Sequence, residues 1–110
     1  MIVRCAYLEG RVEAANLARF DDFIAREIVP VMKRFPGVRS VRVMRALSVE
    51  DDGPLLHMTF ESVYDSVEAM NHAFGLPVRQ ELKARMKEIL PLFTGRLFHI
   101  TQELIADEPA

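Results

Sequence analysis

Between residues 16 and 35 apolar side chains recur at three- and four-residue spacing (Leu17, Phe20, Ile24, Ile28, Val31 and Phe35), the signature of one face of an amphipathic helix. Asn16 is placed to cap it, since its side-chain oxygen can accept a bond from a free first-turn N–H. Pro30 falls inside the pattern, where a regular helix interior would be destabilised by about 3 kcal/mol. The chain must therefore kink there or begin a second short helix at Pro30. "FPGV" at 35–38 ends the segment.

On either side of this helix the period shortens. "IVRCAYLE" at 2–9, closed by Gly10, predicts a first strand. "VRSVRVMRALSV" at 38–49 alternates and is rich in β-branched residues, predicting a second. "EDDGP" at 50–54 is turn chemistry, and "LLHMTFE" at 55–61 follows at once, so strands two and three should form a hairpin. A second helical region starts near 62–66 with Val67, Met70 and Phe74, breaks at "GLP" (75–77), and resumes with Val78, Leu82, Met86, Ile89 and Phe93. "RLFHITQELI" is the last strand, and the tail "ADEPA" has nothing to pack against.

The order β-α-β-β-α-β predicts an α+β chain of ferredoxin-like type. Right-handed crossovers give an antiparallel four-stranded sheet of order 4-1-3-2 with the helices on one face. Residues 1–105 are expected to make one domain and 106–110 a loose C-terminal tail.

Strand parity then distributes side chains between the two faces. Val41 and Val43, with Leu56, Met58 and Phe60, should meet the helices. For strand one the helix side is assigned to Val3, Cys5 and Tyr7, and for strand four to Phe98 and Ile100. The open face would display Arg4, Ala6, Arg42, Met44, His57, Thr59, His99 and Thr101. Two of the three histidines sit in near-copies of one heptapeptide, "LLHMTFE" and "LFHITQE". Their strands flank strand one and so lie about 10 Å apart. Two readings compete. A solvated strand face commonly carries His, Thr and Glu, whereas a histidine in a pocket can exchange a proton near neutral pH. His57 and His99 are therefore the candidate catalytic residues. Arg4, Arg42, Met44, Thr59 and Thr101 are the candidate ligand-binding residues.

The bulk numbers narrow the classes. At 110 residues with half of them apolar, the chain can bury roughly two-thirds of its unfolded surface. A net charge of −2 argues against sequence-independent nucleic-acid binding. Cys5 is the single cysteine, which excludes an internal disulfide and a cysteine zinc cluster. Two histidines without a convergent carboxylate make a poor zinc set, so no metal and no cofactor are expected. No signal-peptide pattern and no apolar run of about 20 residues is present, which predicts a cytoplasmic protein with no membrane partner. Glycine-rich phosphate loops, nucleophile elbows and HExxH are missing.

The run "PVMKRFPGVRSVRV" ending the first helix, the strand "GPLLHMTFES" and the stretch "SVEAMNHAFGLPVRQELKARMKEILPLFTG" together resemble the dimeric α+β barrel superfamily. Within it the chain is most similar to the EthD-like group, with stress-responsive and antibiotic-biosynthesis-monooxygenase barrels as neighbours. Pro30 followed by Pro36–Gly37 answers to the Pro…Pro-Gly run of EthD-like proteins. The histidine those proteins commonly carry two residues before the first proline is Ile28 here. The resemblance implies a homodimer whose open sheet faces close into a barrel, which would also cover an apolar patch otherwise left exposed. It implies three functions to be told apart: a binder of a small aromatic, polyketide or lactone-type compound, a cofactor-independent monooxygenase or isomerase/cyclase using a pocket His, and a ligand-free structural dimer.

Overall fold

A computed structural model describes residues 1–110. Strands β1 (Ile2–Val12), β2 (Ser40–Arg45), β3 (Leu56–Tyr64) and β4 (Phe93–Glu103) form one antiparallel sheet of order β2-β3-β1-β4. This is the expected α+β, ferredoxin-like arrangement. The helical segments are α1 (Leu17–Phe23), α2 (Val29–Met32), α3 (Val67–Phe74) and α4 (Val78–Ile89). None is long and apolar enough to cross a membrane.

Pro30 is accommodated by neither a sharp kink nor a fresh start alone. A π turn over Ile24–Ile28 joins α1 to α2, and the Val29 N–H bonds to the Ile24 carbonyl, five residues back. Widening this turn changes the alignment just where Pro30, in the first turn of α2, lacks an N–H to donate and would crowd a regular helix. Asn16 makes no side-chain cap, because a 3₁₀ turn over Ala14–Asn16 already leads into α1. Ser66 does cap: its hydroxyl accepts from the Ala69 N–H and starts α3. The connection between β2 and β3 spans residues 46–55, longer than a tight hairpin, although the two strands pair as expected.

The sheet and helices enclose two buried clusters. One joins Leu8, Met58 and Phe60 of the sheet to Phe20, Ile24, Ile28 and Ile89. The other gathers Val31, Phe35, Tyr64, Met70 and Ala73. Each large side chain here contributes about 1.5–3 kcal/mol relative to exposure. Leu82 packs against both clusters from α4.

The helix-facing set differs from the parity expected for β1 and β4. Leu8 is buried among helix residues, and Ala6 packs against the same cluster. The even-numbered positions Ile2, Arg4, Ala6 and Leu8 therefore face the helices, not Val3, Cys5 and Tyr7. Since Ala6 pairs with His99 and Leu8 with Leu97, β4 inverts with it, and Phe98 and Ile100 lie on the open face. There Tyr7 stacks on Phe98 at 5.2 Å, and the Gln102 amide reaches the Tyr7 hydroxyl and the Cys5 sulfur. The physical reason is that β1 is apolar on both faces, so alternation alone does not choose between them.

At the far end of β1 and β4, Gly10 and Gly95 face each other, each with φ 148°. A Cβ on Gly95 would lie 2.1 Å from the Glu9 carbonyl oxygen, and one on Gly10 2.1 Å from that of Thr94. Only glycine allows the strands to approach this closely.

Candidate functional site

The two core clusters do not close against each other completely. Between them lies a cavity of about 100 Å³, within a concavity of about 580 Å³ when its open mouth is included. The sheet supplies Arg4 and Ala6 from β1, Phe60, Ser62 and Tyr64 from β3, and Leu97 and His99 from β4. The helix layer supplies Ile28 and Met32, Phe74 of α3, and Leu82 and Met86 of α4, with Phe35 following α2. The register explains this grouping. Arg4 sits between Ser62 and Thr101, and Ala6 between Phe60 and His99, so the small Ala6 side chain leaves room beneath the helices.

Most of the wall is apolar, and its charged or titratable members gather around Arg4. The Arg4 guanidinium is half-buried and lies 4.5 Å from the centre of the Phe74 ring. Its pKa is lowered, first by burial and then by the nearby Arg79 charge. Burial raises the Tyr64 hydroxyl above its usual value. His99 stands at the mouth, with part of its ring open to solvent. Its pKa falls below the usual histidine value, because of lost hydration first and then the positive charges of Arg4 and Arg79. A neutral imidazole at that position can accept a proton from a bound molecule.

His57 is not in the cavity. β3 carries one residue more than β1 at this level: Leu8 pairs with Met58, whereas Glu9 pairs with Leu56. The extra residue is His57: counted from Met58 alternation puts it on the open face, but across the bulge Leu56 opposes Glu9 on that face and the His57 side chain turns towards the helices. The ring makes an edge contact with Phe20 at 5.5 Å and lies 6.4 Å from Phe93. Its Nε2 is 3.3 Å from Oδ1 of Asp21, whose Oδ2 accepts from Arg45 at 2.7 Å. Only 10% of the His57 side chain is exposed. Asp21 thus ties α1 to both β2 and β3 through one carboxylate. The two histidines of the repeated heptapeptide consequently occupy separate environments, one clamped and one at an open mouth.

The other candidates divide in the same way. Arg42, Met44 and Thr59 lie on the open face, where Arg42 is matched with Glu61 at 2.6 Å. Thr101 pairs with Arg4 across the strands but stays exposed on edge strand β4, outside the cavity wall. Sequence reasoning missed Ser62, Tyr64, Phe74 and Arg79. For Ser62 and Tyr64 a signal existed: alternation continues from Phe60 through "ESVY", so β3 runs past its expected end at Glu61. For Phe74 and Arg79 none did, because their meeting with Arg4 depends on how α3 and α4 lie over the sheet.

No protein-family model and no curated relative matches the sequence. Solved structures do. An EthD family protein from Bacillus halodurans superposes with a TM-score of 0.71 at 22% identity, over 96% of this chain and 100% of that one. A dimeric protein of ferredoxin-like fold from Bacteroides fragilis gives 0.69 at 12% identity, over 94% and 95%. SnoaB, a cofactor-independent oxygenase from Streptomyces nogalater, gives 0.66 at 16% identity, over 99% and 97%. The resemblance drawn from the sequence holds at the level of fold: this chain shares the ferredoxin-like α+β architecture of an EthD family protein and of a cofactor-independent oxygenase.

Proposed function

We propose that the protein binds a small aromatic, polyketide or lactone-type compound in the cavity between its sheet and helices, in a catabolic or biosynthetic pathway. The observation that carries this reading is the unfilled apolar cavity with Arg4 and His99 at one end, since ligand sites combine apolar walls with a few convergent polar groups. A ligand-free structural dimer would have no use for an opening between its two core clusters. The working unit is a homodimer joined through the open sheet face. Met44 and Ile100 are exposed there, beside the stacked Tyr7 and Phe98, and a second copy would remove this surface from water. The Bacteroides protein of the same fold is described as dimeric.

The test is a thermal-shift screen of small aromatic and lactone compounds, with the solution mass measured alongside. Stabilisation by members of one class is expected, together with a dimeric mass. A monomer at micromolar concentration removes the barrel, and no response to any compound removes the ligand site. One observation favours a second reading, a cofactor-independent monooxygenase or isomerase/cyclase. A neutral His99 beside a cavity can take a proton from a carbon acid. His99→Ala would then abolish turnover of the compound identified by the screen while retaining its binding.

A further inference from the structure

Arginines in this chain divide by what neutralises them. Those at 26, 34, 39, 42, 45, 85 and 96 each meet a carboxylate. Arg11 and Arg19 have no carboxylate partner but stand exposed, where water solvates them. Arg4 and Arg79 alone are drawn partly out of solvent without an acidic partner. They also converge: their guanidinium carbons lie 4.5 Å and 5.1 Å from the centre of the same ring, Phe74. The ring's electron-rich faces offset some of the cost, by about 0.5–2 kcal/mol per cation. Two like charges sharing one ring still repel, and no Asp or Glu lines the adjoining cavity.

A half-dry cationic pair beside an apolar pocket, with no acidic group in the pocket wall, is chemically incomplete. An anion supplied from solution would relieve the repulsion and accept charge-assisted hydrogen bonds from both guanidiniums. The cavity limits what can carry that anion. About 100 Å³ is somewhat less than the roughly 150 Å³ of an engineered protein cavity that accepts benzene. A single flat ring fits only if its charged group stays at the mouth, where Arg4 and His99 stand.

We infer that the ligand is a monocyclic aromatic carboxylate, held with its carboxylate against Arg4 and Arg79 and its ring against Phe60, Met32 and Leu82. This deepens the ligand-binding reading above and rests on it. Arg79, five residues beyond Phe74 and outside the cavity wall itself, becomes the residue that selects charge.

Calorimetric titration with benzoate, methyl benzoate and benzamide tests the assignment, with acetate as a carboxylate lacking the ring. Benzoate is expected to bind about tenfold or more tightly than either neutral compound, and acetate far more weakly. Arg79→Gln and, separately, Arg4→Gln should each cost about tenfold in benzoate affinity while leaving methyl benzoate within about twofold. Arg79 is on the surface of α4, so its variant remains informative if Arg4→Gln fails to fold. Equal binding of benzoate and its ester overturns the charge assignment and leaves a neutral-ligand cavity standing. Acetate binding as tightly as benzoate overturns the aromatic assignment. Silence from all the ring compounds overturns this inference, whereas the broader ligand-binding reading falls only if the thermal-shift screen is silent as well.

Discussion

Replacing each of the two heptapeptide histidines by alanine should separate them by more than 2 kcal/mol of folding stability. In His57→Ala three contributions are lost. The bond to Asp21, long at 3.3 Å, is worth about 1 kcal/mol. The edge contact with Phe20 and the looser one with Phe93 together add about 1 kcal/mol. The void left by a ring that is only 10% exposed adds about 1 kcal/mol more. The sum is roughly 3 kcal/mol, and Asp21 is not orphaned because Arg45 still holds it. His99→Ala removes a side chain exposed at the cavity mouth and should change stability by about 0.5 kcal/mol or less. Urea unfolding of both variants, with the slope m unchanged, reads this difference as a shift in midpoint. In thermal unfolding His57→Ala should lose about 10 °C or more. Equal stabilities for the two variants would refute the bulge at His57, and a larger loss from His99→Ala would reverse the assignment of the two rings.

The His99 imidazole, followed by NMR, should titrate below the usual histidine value near 6.5, and Arg79→Gln should raise it only part of the way, since lost hydration is the larger cause. The unfolded chain then binds more protons than the folded one between the two values. His99's contribution to stability is therefore complete above the unfolded pKa and falls away as the pH drops towards the folded one; a variant without His99 should lose that slope. Gly95→Ala forces a Cβ to within 2.1 Å of the Glu9 carbonyl oxygen at φ 148°, and should cost about 2–4 kcal/mol in urea unfolding. Ile28→Ala, truncating a side chain that is both core and cavity wall, should cost about 3–4 kcal/mol by the same assay; a loss under 1 kcal/mol would mean that the π turn does not pack as described.

Element order and strand neighbours were legible in the sequence because period, turn residues and crossover handedness constrain one another. Val41 and Val43 lay where alternation put them, since Arg42 and Met44 mark the other face of β2. β1 offered no such contrast. Ile2, Ala6 and Leu8 on one side balance Val3, Cys5 and Tyr7 on the other, and in β4 the apolar Phe98 and Ile100, which alternation turns inward, lie on the open face. The two errors moved Arg4 and His99 together from the cavity to the open face. His57 followed a different rule: a bulge adds one residue to one strand, and composition does not announce it. The Arg4–Phe74–Arg79 convergence joins a strand to two helices over separations that periodicity does not reach.

The π turn before Pro30 has a consequence for how this chain tolerates length changes. It holds one residue more than an unbroken α-helical ladder would need, so shortening Ile24–Ile28 by one position is the deletion the backbone can most readily absorb locally. Because the wider turn takes up its extra residue within a single turn, such a deletion restores regular α-helical bonding there and leaves Phe20 and Asp21 against the strands they meet. The same deletion within the regular turns of α1 would swing everything before it by about 100° around the helix axis, the angle subtended by one α-helical residue.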